Sequence, residues 1–415
     1  MRILIANEGL SGGGGVETYL STLVPALQAA GHEVGVLHDN PAGENAPQRI
    51  APEGTWHVGV QDVGLEKAIE GVRAFAPDVC FSHNMRSLEI ESRLVGEWPS
   101  VKMMHGFFGT CVSGQKAFVF PSMVACTRTF GPGCLGYYLP RRCGQASPIQ
   151  MLREYRWGSD QRSLFSRYRA IVVASRYMRD EYVRAGLPIS SVHAIPLFAP
   201  PHPAEQPQHD ERPRSIDVLF VGRLTNLKGP DVVVDAAARA SRLMQRPLNV
   251  VLAGDGPERA YLRDRALARG ISVTLTGWVG PEERDRLLRD AMILAVPSRW
   301  PEPFGLVGLE AAACGTPAVA FDTGGIRDWL LDDENGRLVP PASDVDGFAD
   351  ALIEILAKPA LHARLSAGAR ASAARFTLEA HVSALTRVLM HAAGMPVAAP
   401  PIADPRGTHP SPISE

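Results

Sequence analysis

Two cations and two carboxylates stand out by their spacing. The run Gly222-Arg223-Leu224-Thr225-Asn226-Leu227-Lys228-Gly229 sets Arg223 and Lys228 five residues apart on a glycine-bounded loop. Such a pair can neutralise a diphosphate, because hydrogen bonds from a charged donor to phosphate belong to the strong class. Further along, Pro301-Glu302-Pro303-Phe304-Gly305-Leu306 leads to Glu310. Gly305 lets the backbone approach a ligand, and the amides around Phe304, Gly305 and Leu306, where a helix opens, can face phosphate oxygens. Glu302 lies ahead of that helix and Glu310 inside it, so one can approach a sugar while the other accepts hydrogen bonds from a ribose. Both carboxylates also suit solvated helix-end positions favoured by the dipole, and both cations suit a plain surface. In the first half, Gly12 to Gly15 are consecutive glycines and Met103-Met104-His105-Gly106 ends an apolar run. Gly14 and Gly15 suit a phosphate- or acceptor-facing loop or a permissive turn; His105 suits a site at a strand end or a satisfied structural histidine.

These residues need a scaffold, and the pattern supplies one. The chain starts with a strand, meets the glycine loop, and continues with a helical pattern over 16–30 and a strand over 34–37. That order predicts a parallel sheet with right-handed crossovers. Further strands are expected at 79–82, 101–105, 170–174 and 192–195. The proline-dense stretch 201–214 reads as a linker. The alternation then restarts, with strands expected at 217–221, 249–253, 273–276, 293–296 and 318–321, separated by helical patterns such as 230–243 and 258–268. Helices are expected at 345–357, 361–375 and 377–393, and the tail from 396 as disordered chain. The prediction is α/β, with two doubly wound domains at 1–200 and 215–375 and a C-terminal helix at 376–395 that packs back on the first. Ligands of such sheets bind outside the carboxyl ends of the strands, where the four charged residues fall.

Composition narrows the function. At 415 residues and a net charge of -2, with no block of one sign, the chain does not read as a nucleic-acid binder. No apolar run reaches the roughly 20 residues of a bilayer span, and the first strand meets glycine too early for a signal peptide, so a cytoplasmic protein is expected. Asp344-Val345-Asp346 spells an acidic triplet but precedes a helical pattern, and it is read as capping rather than metal binding. Cys111, Cys126, Cys134 and Cys143 crowd one segment without the pairwise spacing of structural zinc, which leaves metal, free thiols and redox pairing open. From Arg141 to Arg184, arginines interleave with Tyr155, Trp157, Phe165 and Tyr168, a mixture that suits either an anionic membrane surface, such as the inner face of the membrane, or a solvated helix face.

Taken together, the Gly-Arg-Leu…Lys-Gly loop, the turn Gly254-Asp255-Gly256-Pro257, the Glu-x7-Glu pair, the Ala-Cys-Gly-Thr-Pro-Ala-Val-Ala run from Ala313 and Thr323-Gly324-Gly325 resemble glycosyltransferase family 4, retaining enzymes of GT-B architecture. The resemblance covers 215–375 strongly and 1–200 loosely. It implies two Rossmann-like domains facing across a cleft. It also implies transfer of a hexosyl-type sugar from a UDP- or GDP-sugar to a carbohydrate, glycolipid or metabolite hydroxyl, in the biosynthesis of cell-surface polysaccharide, glycolipid or glycoconjugate. By the same resemblance Arg223, Lys228 and the amides near Phe304–Leu306 hold the diphosphate, Glu310 the ribose, and Glu302 and His105 the sugar, with Gly14 and Gly15 facing phosphate or acceptor. No metal and no further cofactor is expected, and no covalent nucleophile of the two-carboxylate kind stands out. A sugar-nucleotide epimerase or hydrolase and a silent carbohydrate-binding subunit are the rival readings.

Overall fold

The structure is a computed structural model that describes residues 1–12, 14–40, 48–199, 214–340 and 345–396. The expected linker apart from Arg214, Asp344 of the acidic triplet, Gly13 and the expected tail from 397 lie outside the described residues.

The first domain is built on seven parallel strands: β1 (Arg2–Gly9), β2 (Glu33–Asn40), β3 (His57–Gly59), β4 (Val79–Ser82), β5 (Ser100–Met104), β6 (Ala170–Val173) and β7 (Val192–Ala194), in the order β7-β6-β5-β4-β1-β2-β3. The second holds six: β8 (Ile216–Val221), β9 (Val250–Ala253), β10 (Val273–Gly277), β11 (Ala291–Val296), β12 (Ala318–Phe321) and β13 (Gly336–Val339), in the order β10-β9-β8-β11-β12-β13. Both are doubly wound α/β sheets whose order reverses beside the first strand, and that reversal opens the crevice where ligands of such folds bind. Their central strands are nearly continuous apolar runs, as strands covered by helices on both faces must be. Strands β3 and β13 were not among the expected elements; each is a short outer strand of its sheet.

Seven helices matter for the site: α1 (Gly15–Ala29), α2 (Pro148–Leu164), α3 (Arg176–Arg184), α4 (Pro230–Met244), α5 (Pro281–Asp290), α6 (Leu306–Ala313) and α7 (Leu378–Ala392). Helix α1 starts one residue earlier than the apolar pattern suggests, because the Gly14 amide donates to the Glu17 carboxylate at 3.0 Å and closes its first turn. Helix α7 lies against the first domain. Its Leu385 and Leu389 are fully buried, and its His381 bonds to Tyr19 of α1. A single apolar cluster runs from Ile5 and Met103 of the first domain to Phe304 and Trp329 of the second. A polar clasp joins the same faces: Asp328 accepts the Arg176 amide, the first of α3, at 2.8 Å and pairs with the Arg176 guanidinium at 3.2 Å. No helix among the described residues is long and apolar enough to cross a membrane.

Candidate active site at the domain interface

The loop after β8 ends in a short turn, Asn226–Lys228, closed by Gly229. A side chain at Gly229 would collide with the Pro297 carbonyl, so this loop lies directly on the one that follows β11. Arg299 ties the two together: it forms paired 2.7 Å bonds with Asp231 of α4 and another to the Asn226 side chain, while its amide donates to Leu227. This clamp was not foreseen from the sequence, where Arg299 is one arginine among many.

The clamp sets Lys228 against Glu302. The ammonium meets Glu302 Oε1 at 2.6 Å, and the buried Ser298 hydroxyl donates to the same oxygen. Lys228 also lies 5.4 Å from the Trp300 ring centre, a cation–π contact. Behind the carboxylate, the Gly325 amide donates to the Glu302 carbonyl at 2.7 Å. Gly324 has φ +59, and any Cβ there would strike the Glu302 backbone, so the Thr323-Gly324-Gly325 turn serves as a close-fitting back wall. The cation expected on phosphate and the carboxylate expected on sugar are thus brought together, each bonded to the other. Arg223 is left exposed, with no partner for its guanidinium among the described residues.

Gly305, at φ +86, is the left-handed residue that opens α6. The Phe304 carbonyl accepts the buried Trp329 indole N–H at 2.6 Å and its ring packs on Phe376, so the side chain and carbonyl of Phe304 belong to the core. Trp329 in turn fills the space that a side chain at Gly308 would need. The first-turn amides that follow Gly305, beginning at Leu306, are those a helix cannot satisfy itself. Glu310 is buried one turn further on and meets Arg284 of α5 at 3.3 Å. Burial pushes its carboxyl up, Arg284 pulls it down and Asp285 adds to the rise.

In the first domain, β4 and β5 run side by side in register, Ser82 opposite Lys102, and each delivers a histidine just past its end. His83 Nδ1 and His105 Nε2 are 3.0 Å apart and share one proton. Burial, with the nearby Lys102 ammonium, lowers both, His105 to about 3 and His83 well below its ordinary value. Two neutral imidazoles therefore face the interface at neutral pH. Lys102 is itself buried on Glu91 at 2.6 Å and donates to the His83 carbonyl. The Tyr19 ring meets His105 edge-on at 5.8 Å, and its hydroxyl lies 2.8 Å from His381 Nε2. His381 Nδ1 donates to the Pro196 carbonyl, which fixes Nε2 as the acceptor from Tyr19. Tyr19, His83 and His381 were not singled out from the sequence. Gly15, beside this group at the start of α1, has open space where a Cβ would stand.

Among the described residues no group of three or more His, Cys, Asp or Glu is arranged to hold a metal ion, and all six cysteines are free. Cys111 Sγ accepts the Lys116 amide at 3.3 Å, while the Cys134 and Cys143 thiols point at backbone carbonyls. Asp346 pairs with Arg239 rather than with another carboxylate.

The sequence matches the family profile Glycosyltransferase Family 4 over residues 13–202 and the profile Glycosyl transferases group 1 over residues 202–372. The chain belongs to this glycosyltransferase family. It is 36% identical over 242 residues to the D-inositol 3-phosphate glycosyltransferase of Xylanimonas cellulosilytica, covering 54% of this chain and 57% of the relative. It is 33% identical over 224 residues to the alpha-D-kanosaminyltransferase of Streptomyces kanamyceticus, covering 51% and 57%. The matches thus span little more than half the length of these relatives. In fold, it resembles Anabaena Alr3699/HepE solved in complex with UDP-glucose, with a TM-score of 0.64 at 19% identity over 94% of this chain and all of that one. The fold is therefore GT-B, two Rossmann-like domains.

Proposed function

We propose that this glycosyltransferase moves a hexosyl-type sugar from a nucleoside diphosphate sugar to an acceptor hydroxyl with retention of anomeric configuration. The observation that carries the reading is the Lys228–Glu302 pair just ahead of α6, which sets a cation and a carboxylate side by side beside the helix start. An incoming diphosphate, bearing more charge than one carboxylate, would draw Lys228 off Glu302 and lie against Arg223 and the amides after Gly305. Glu302, released from the ammonium but still held by Ser298 and the Gly325 turn, would then accept hydroxyls of the sugar. Glu310 would accept from the ribose; burial raises its carboxyl and Arg284 opposes that rise. Neutral His105 would offer the sugar a hydrogen-bonding nitrogen with no charge to compete with the leaving diphosphate. The acceleration would come from positioning and from stabilising the leaving charge. The acceptor hydroxyl would attack from the face the diphosphate leaves and pass its proton to it.

A relative's complex with UDP-glucose supports a UDP-sugar as the first donor to try. A thermal-shift panel of UDP- and GDP-sugars should raise Tm for the true donor, since a ligand that binds only the folded state stabilises it. Anomeric NMR of the product should then show retention. A flat panel with both bases, or an inverted product, would overturn the reading.

A further inference from the structure

One stretch of the first domain, from Ala117 to Trp157, is unlike the rest of the surface. Among the described residues, five of the eleven exposed large hydrophobic side chains fall in it: Phe120, Tyr137, Leu139, Ile149 and Leu152. Single exposed apolar residues are ordinary, but a cluster calls for an occupant. The stretch also carries five arginines, Arg128, Arg141, Arg142, Arg153 and Arg156, against one carboxylate, Glu154, in a chain whose net charge is -2. None of the five forms an ion pair among the described residues, although arginines elsewhere on the surface pair repeatedly with Asp and Glu.

The two features share one face. On α2, Ile149, Leu152, Arg153 and Arg156 stand at i, i+3, i+4 and i+7 and are all exposed, with Ile149 at 74%. Asp160 continues that stripe one turn on. Helix Gly133–Tyr138 packs beside α2 and presents Tyr137, with the Arg128 guanidinium 4.3 Å over its ring. Arg142 lies 4.9 Å over Phe120 in the same way. Cations are therefore held close to the aromatic side chains they accompany. The same stretch lines a cavity of about 530 Å³, through Met123, Tyr138, Arg142 and Gln150, whose opposite wall is Thr225–Leu227, the residues just before Lys228.

We propose that this face docks the protein on an anionic lipid bilayer, with Ile149, Leu152, Phe120 and Tyr137 entering the interface and the unpaired arginines meeting lipid phosphates. The charge excess favours an anionic surface over an uncharged apolar partner. Docking there brings the cavity beside Lys228 up to the headgroup layer, so this inference rests on the proposed function in taking that cavity as the acceptor side.

The test is co-sedimentation of the full chain with large unilamellar vesicles, either phosphatidylglycerol with phosphatidylcholine or phosphatidylcholine alone. The expected result is binding to the anionic vesicles only, released as salt rises to about 0.5 M as surface charges are screened. Each arginine neutralised should weaken partitioning about fivefold, so R153Q/R156Q should bind about 30-fold more weakly. I149S/L152S should also release the protein, while the thermal shift given by the donor stays as in wild type. Wild-type protein that remains in the supernatant with anionic vesicles overturns the inference. So does equal binding of both variants, or a concentration-dependent dimer in light scattering that these variants abolish without any vesicle binding, which would assign the face to a second copy. Vesicle binding without any nucleotide-sugar shift would instead leave the surface standing and remove the donor reading.

Discussion

Replacing Lys228 with Met keeps the hydrocarbon stem and removes the ammonium, which separates two roles that one contact combines. In the free protein, Glu302 is almost wholly buried and receives Lys228 at 2.6 Å and the Ser298 hydroxyl. Breaking a fully buried pair costs about 3–5 kcal/mol, whereas a surface pair contributes at most about 1. Lys228 is one-quarter exposed, so the free protein should lose about 1–3 kcal/mol. In turnover, the missing charge-assisted bond to the diphosphate is worth about 1.5–3 kcal/mol, or roughly tenfold to 150-fold in rate. The two effects part company in the double variant. Adding Glu302→Gln to Lys228→Met leaves a neutral amide where an orphan carboxylate stood, so most of the stability should return. The rate should not return, because the leaving group still lacks its cation and the sugar has lost its carboxylate. The assays are denaturant unfolding of both single variants and the double variant, and steady-state kinetics with the true donor. A stability coupling near zero would show that the pair does not exist in the free protein. Wild-type turnover in Lys228→Met would show that the diphosphate lies elsewhere.

Four further outcomes follow from the geometry. Glu310→Ala should raise KM and weaken nucleotide binding far more than it lowers kcat, since a ribose contact is made equally in ground and transition states. Arg284→Gln removes the group that opposes the rise of the Glu310 carboxyl, so nucleotide affinity by calorimetry should fall more steeply on acidification than in wild type; parallel slopes would contradict the pairing. His83, His105 and His381 are all held below their ordinary value chiefly by burial, the last at about 4. The unfolded chain therefore takes up protons below about pH 6.5 that the folded one refuses, and stability present above that pH is lost on acidification at up to about 1.4 kcal/mol per unit for each histidine. His381→Gln should flatten the fall in Tm between pH 7 and pH 5, and an unchanged slope would count against it. Asp328→Ala removes both the acceptor for the first amide of α3 and the ion pair to Arg176, so it should raise KM for the donor more than it lowers Tm if the clasp sets the distance between domains.

What could be read in advance was what is local in the chain. Arg223 and Lys228 share an eight-residue loop, and Glu302, Gly305 and Glu310 straddle one helix start, so the sequence alone singled out Lys228 and Glu302, which the fold brings into contact. The doubly wound sheets were legible for the same reason, as buried parallel strands are unbroken apolar runs. Strands β3 and β13 escaped because His57-Val58-Gly59 and Gly336-Arg337-Leu338-Val339 break the apolar run with a histidine, an arginine or a glycine. The residues that hold the site were illegible because their partners are remote. Tyr19 meets His381 across 362 positions, and Arg299 reaches Asp231 across 68. His83 was within reach, since it ends a strand adjacent to the one ending at His105. Two apolar runs each followed by histidine are a signal, but only once the strands are known to be neighbours.

The return of helix α7 to the first domain has a practical meaning for recombination. A chimera that exchanges the second domain of two relatives at a single junction in the linker would import a foreign last helix, and with it a foreign partner for Tyr19 and Pro196. The aromatic group beside His105 would then be assembled from two lineages that never adapted to each other. A graft with two junctions, one in the linker and one between Phe376 and Leu378, leaves the native helix with the domain it braces. By this reasoning the smallest exchangeable donor module is an insert inside the chain rather than its C-terminal half.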